Sequence, residues 1–216
     1  MKTTRSKWNL SMVEKLLHEA FSKNSEIKLL NLLKCNSFLF YELYDRKDRI
    51  CPCFSEISFG DYRCDFCWLN DNSSGPEWVL VEIEKPNLKL FKKDGDPTQI
   101  LSHSVEQVKS WRRFFENHPS EKSRVFGAVA QFKFVLVVGN DNSWNSTKAM
   151  QWRLDLLKNN GIVIRSTDVF SRALNVAKTN YERLWSFEEY PSTKKKEDLL
   201  SFIENSDYLN NMKRYF

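Results

Sequence analysis

The stretch Val81-Glu82-Ile83-Glu84-Lys85-Pro86 decides how this chain is read. Strand side chains alternate, so Trp78, Leu80, Glu82 and Glu84 share one face while Val79, Val81, Ile83 and Lys85 share the other. Two carboxylates thus leave a strand from Trp78 to Lys85 on the same side, and the opposite face belongs in a core. Pro86 cannot donate to a ladder and stops the strand.

Upstream, Ile57 to Trp68 reads as one strand, bent at Gly60, and the polar run from Asn70 to Pro76 reads as the turn of a hairpin. Asp65 stands between Cys64 and Phe66, and hairpin pairing can bring it opposite the Glu82 and Glu84 face. Three acids then converge. Like charges on half-buried strands repel, so such a cluster persists where a cation neutralises it, and all-oxygen ligation selects Mg²⁺, with Mn²⁺ as a substitute. A hard divalent ion held this way orients and acidifies a water for in-line attack on a phosphodiester. A solvated outer hairpin face would show the same pattern of acids.

Downstream, Thr98 is a suitable N-cap for a helix to about Phe115. His103, Gln107 and Trp111 recur every fourth residue and share one face, so the helix can aim Gln107 at a metal-bound water or a phosphate. Lys89, Lys92, Lys93, Arg112 and Arg113, with His103, offer a DNA-contacting rim. A solvated loop and helix end account for the same residues.

The remaining pattern is α/β. Ser11 and Glu14 form a capping-box pattern before a first helix, and Ser25 opens a second that runs to about Asn36 and carries Glu26 early. Phe38 to Tyr44 reads as a short strand, with a helical extension as the alternative. Val125 to Val138 reads as a strand whose last half, from Phe134, is buried on both faces. A helix near Ser146 to Lys158, a short strand Ile162-Val163-Ile164 and a helix capped by Thr167 or Asp168 follow. Residues 1–190 are expected to form a single domain, with 191–216 as a loosely attached helical extension.

Hydrophobic residues make up 41% of the 216, enough for one sizeable core. The formal charge of +5 permits a polyanionic partner without demanding one. No apolar run approaches a membrane span, and Met1 to Lys7 precede no apolar signal region, so a cytoplasmic protein is expected. Sixteen phenylalanines and seven tryptophans imply a dense core or an aromatic subunit contact, and a homo-oligomer is expected. Five cysteines, an odd number, favour reduced thiols. Cys51-x-Cys53 and Cys64-x-x-Cys67 invite a zinc site, but a regular strand sends Cys64 and Cys67 to opposite faces.

From Phe59 to Trp111 the sequence resembles the Shedu anti-phage defence nucleases. Cys64-Asp65-Phe66, Val81 to Pro86, the loop Phe91-Lys92-Lys93-Asp94-Gly95 and the helix Ser102 to Arg112 carry the resemblance. Phe134 to Gly139 and Ile162 to Phe170 are similar to that family's closing β-α-β unit, so the likeness runs from about Glu26 to Leu174. It implies a restriction-endonuclease-like PD-(D/E)XK domain, with a mixed central sheet flanked by helices. It further implies an endodeoxyribonuclease with Asp65 and Glu82 as metal ligands, Glu84 at the third motif position and Gln107 as the helix contributor, as in the Gln-x-x-x-Tyr element of RecB-like nucleases. The third position is usually lysine. Either Glu84 is a further ligand, or Lys85 after a bulge, or Lys89, supplies the positive charge. Glu26 is a candidate for an additional acid. A catalytically inactive domain of the same fold, binding nucleic acid or a partner, is the alternative.

Overall fold

The computed structural model describes residues 7–216, and residues 1–6 of the opening segment lie outside the described residues. Five strands form one sheet in the order β1-β2-β3-β4-β5: Phe54–Phe59, Tyr62–Asn72, Gly75–Ile83, Gln131–Val137 and Ile162–Arg165. The first three are antiparallel neighbours, while β3, β4 and β5 run parallel. Parallel strands need a crossover, and α3 (Gln99–Asn117) and α5 (Thr147–Asn160) lie in the two connections. The mixed sheet flanked by helices is therefore the architecture the sequence led us to expect.

The run Ile57 to Trp68, expected as one bent strand, is instead parts of two. Gly60 adopts φ +53°, and with Asp61 it reverses the chain between Phe59 and Tyr62. Gly-Asp acts here as a turn rather than a bend. The polar run from Asn70 shrinks correspondingly, because Asn72 pairs with Gly75 and leaves only Ser73 and Ser74 in the turn.

Phe66, Trp68, Val79, Val81, Ile83, Val135 and Val137 build one core with α1 (Leu10–Ser22), α2 (Glu26–Cys35) and α6 (Asp168–Thr179). The segment Phe38 to Tyr44, expected as a strand, opens as a 3₁₀ helix over Ser37–Phe40. Phe40 tilts onto Phe66 at 4.8 Å and Tyr44 stacks on Trp68 at 4.4 Å, so aromatic packing overrides strand propensity. Asn9, rather than Ser11, caps α1 by accepting from the Met12 amide, whereas Ser25 and Thr98 cap α2 and α3 as expected. At α6 Thr167 stands at the N-cap, one of the two expected positions, without a side-chain cap bond.

Leu80, Trp78, Phe134, Leu136 and Ile164 build the opposite core with α3, α4 (Pro119–Phe126) and α5. Val125 and Phe126, expected in a strand, close α4. Gly127 at φ +71° separates that helix from β4. The segment 191–216 is not loosely attached. It forms α7 (Lys196–Glu204) and α8 (Asp207–Met212), which bury Leu199, Ile203 and Leu209, and the Ser55 amide donates to the Lys194 carbonyl at 2.9 Å.

Candidate active site

The pairing of β2 with β3 stops at Phe66 and Val81, although β2 begins at Tyr62 and β3 continues to Ile83. At that point the Ile83 amide donates to Asp65 Oδ2 at 2.8 Å, so a side chain takes the place of the next ladder acceptor. On β1, Glu56 lies between the Ser55–Phe66 and Ile57–Cys64 pairs and adopts φ +56°. The hairpin is thus kinked at Asp65. One consequence overturns an expectation: Cys64 and Cys67 sit in the same core rather than on opposite faces, because the kink breaks strand alternation. None of the five cysteines is in a disulfide, and among the described residues no group of three or more His, Cys, Asp or Glu side chains could hold a metal ion.

The kink opens a cleft of about 260 Å³ lined by Asp61, Tyr62, Arg63, Asp65, Glu82, Gln107 and Trp111. Asp65 is 8% exposed. Gln107 Nε2 donates to Glu82 Oε1 at 2.5 Å, and Ser104 Oγ donates to Glu84 Oε1 at 2.6 Å. Residues three apart on the helix therefore meet residues two apart on the strand. Glu82 Oε2 and Trp111 Nε1 are buried with no hydrogen-bond partner among the described residues.

Electrostatics match this geometry. Burial pushes the Asp65 carboxyl up to about 7, with Glu26 and Glu84 adding negative charge, against the pull of the Ile83 amide and Arg63. Burial pushes Glu82 up to about 10, and Asp65, Cys64 and Glu84 reinforce it, while Gln107 opposes. Glu26, in the first turn of α2, is raised by burial and by Glu84, and lowered by Lys85. The four acids thus sense one another, and Asp65 with Glu82 forms the buried centre.

Two carboxylates largely shielded from water, one with an unused oxygen, resist carrying two negative charges together. The donor set is all oxygen, which fits a hard divalent ion. Mg²⁺ commonly keeps several waters and takes only one or two carboxylates, so a closed protein cage is not required. Asp65 and Glu82 can hold such an ion, with Gln107 fixing the orientation of Glu82.

The other expected residues distribute unevenly. Lys85 is exposed and lies near Glu26, while Lys89, Lys92 and Lys93 are exposed along the loop before α3, where Phe91 bridges to Pro97. His103 is exposed one turn before Gln107. Arg112 turns away from the cleft to donate to the Asn160 carbonyl at 2.8 Å, and Arg113 pairs with Glu106 at 2.5 Å. Sequence reasoning missed Arg63, Tyr62 and Ser104. Arg63 stands two residues before Asp65, and Ser104 three before Gln107. Both spacings were visible in the sequence, but only if the kink and the helix direction were known.

Residues 23–171 match the family described as Shedu protein SduA, C-terminal. No curated protein matches the sequence. Among solved structures, restriction endonuclease FokI is similar, with a TM-score of 0.45 and 14% identity across 87% of this chain. The chain spans 33% of the FokI chain it matches. The family match takes in the whole sheet, the kinked hairpin and α3, and covers well over half of the residues. The chain therefore belongs to the Shedu SduA C-terminal family.

Proposed function

We propose that the cleft is the active site of a Mg²⁺-dependent endodeoxyribonuclease acting in defence against phage, in a cytoplasmic and homo-oligomeric protein. The observation that carries this reading is the Asp65–Glu82 pair, both acids raised in pKa by burial, with Gln107 holding Glu82 and leaving its other oxygen unused. Family membership supports a defence-related nuclease.

In this reading Asp65 and Glu82 are the metal ligands, and a bound divalent ion supplies Lewis acidity and a water of lowered pKa. Gln107 holds Glu82 in one rotamer through its carboxamide. Glu84, tethered by Ser104, and Glu26 add negative charge that raises the demand for a cation. Arg63 places a positive charge beside Asp65, where Lys85 and Lys89 had been the expected sources, and it is suited to a substrate phosphate. Lys89, Lys92, Lys93 and His103 form the outer DNA-contacting rim.

The decisive experiment incubates wild type and Glu82→Gln with supercoiled, linear and single-stranded DNA in Mg²⁺, Mn²⁺ or EDTA. Metal-dependent cleavage by wild type alone is expected. Identical, metal-independent behaviour of both proteins would sink the reading.

A second reading has its own observation. Glu84 occupies the position where the superfamily usually has lysine and is bound to Ser104, which suits a catalytically inactive domain that binds nucleic acid or a partner. Retained DNA binding with no cleavage under any metal would select it.

A further inference from the structure

β5 is the last strand of the sheet, so among the described residues its outer edge has no neighbouring strand. The Arg165 carbonyl accepts from Val138 on β4, and alternation therefore turns the amide and carbonyl of Ile164 outward. Beside this edge lies a groove of about 360 Å³ between α5 and β5. Met150, Leu154 and Leu157 recur at helical spacing along it and are 49%, 60% and 48% exposed. Three large apolar side chains on one open stripe next to an unpaired strand are a surface that wants covering.

The polar groups of the groove carry one sign. Arg153 and Arg165 line it, no carboxylate does, and neither guanidinium has a hydrogen-bond or ion-pair partner among the described residues. The nearby Asp141 already holds Arg172 at 2.9 Å and Ser166. Burial, Arg165 and Arg172 hold the Arg153 guanidinium below its ordinary pKa, against the opposing pull of Asp141, so its positive charge is only partly balanced. A twofold contact of this face with a second copy would set like charges against one another, since an isologous interface repeats the same patch. Nucleic acid is contacted mainly through polar and cationic groups, and the apolar stripe offers it nothing.

We propose that the α5–β5 groove binds an extended acidic peptide segment of a partner protein, which adds a strand to the β5 edge. Its backbone pairs with Ile164, its apolar side chains cover Leu154 and Leu157, and its carboxylates meet Arg153 and Arg165. This site is independent of the nuclease reading.

The test is fluorescence anisotropy on the full chain with a labelled synthetic peptide that alternates glutamate and valine. A lysine–valine counterpart and a short DNA duplex serve as comparison probes. Wild type is expected to bind the acidic peptide and not the basic one. The Arg153→Glu/Arg165→Glu double variant, checked for a native circular-dichroism melt, should bind at least about tenfold more weakly. The milder Arg153→Gln and Leu154→Asp variants should each weaken binding as well. Hydrogen exchange of the Ile164 amide should slow on addition of the acidic peptide. No binding of the acidic peptide, equal binding of the basic one, or unchanged affinity in the arginine variants would overturn the proposal. So would a groove whose arginines affect only the DNA duplex.

Discussion

Gln107 fixes one oxygen of Glu82 at 2.5 Å and leaves the other buried with no partner among the described residues. A cleft-facing carboxylate so divided is oriented by the helix and left with one oxygen for a cation. Gln107→Ala removes the orienting bond while Asp65 and Glu82 remain. Outer-shell partners of this kind are worth about 10–100-fold in metal affinity or activity. The Mg²⁺ concentration giving half-maximal cleavage should rise within that range, and an unchanged Mg²⁺ titration would contradict it.

The buried acids also set a pH dependence of stability in the metal-free protein. The Asp65 pKa stands at about 7 against an ordinary value of 3.8, and that of Glu82 at about 10 against 4.5. Between the unfolded and folded values the native state keeps a proton that the unfolded chain has released, so stability falls as pH rises. This contribution is complete below the unfolded pKa values and is lost upward, up to pH about 7 for Asp65, with a slope of at most about 1.4 kcal/mol per pH unit per carboxyl. Melting temperature in EDTA should therefore drop from pH about 5 to about 8. Asp65→Asn should flatten part of that drop, and added Mg²⁺ should oppose it. A flat profile in EDTA would show that the pair is not buried as described.

Gly60 is required twice over. Its φ is +53°, and an added Cβ would lie 2.6 Å from the Phe114 ring. Gly60→Ala should cost about 1–3 kcal/mol, because the residue is strained and the ring must also shift. For a chain of this size that corresponds to roughly 2–4 °C of melting temperature per kcal/mol. Calorimetry measures it. Cleavage should weaken too, since Tyr62 and Arg63 follow this turn into the cleft.

Leu199 in α7 is enclosed in the core that α7 closes against β1. Leu199→Ala should destabilise by about 2–5 kcal/mol, the usual cost of emptying such a site. Chemical denaturation that shows a change below about 0.5 kcal/mol would mean that the C-terminal helices are peripheral after all.

What the sequence revealed depended on how local the cause was. The face shared by Glu82 and Glu84, the cap at Thr98 and the register of Gln107 above them follow from periods of two and 3.6, which short stretches display. The division of Ile57 to Trp68 into two strands was hidden because Gly60-Asp61 is short and both flanks are aromatic. The kink at Asp65 was hidden for a different reason. It depends on Glu56 taking φ +56° across the hairpin, and neither residue type announces that. With the kink unseen, Arg63 had no reason to stand out, and Cys64 and Cys67 were assigned to opposite faces. The run Phe38 to Tyr44 looked like a strand because aromatic residues favour both sheets and cores, and tertiary packing chose between them.

The bond from the Ile83 amide to Asp65 Oδ2 bears on how loss-of-protection alleles are interpreted. Replacing Asp65 with alanine deletes the proposed ligand and also strands a buried amide, so a cell carrying that allele would lose the proposed protection simply by losing protein. Asparagine keeps an oxygen that can accept from Ile83 while lowering the charge. In a plaque assay, therefore, Asp65→Asn with its abundance measured by immunoblot separates loss of chemistry from loss of protein, whereas the alanine allele confounds the two.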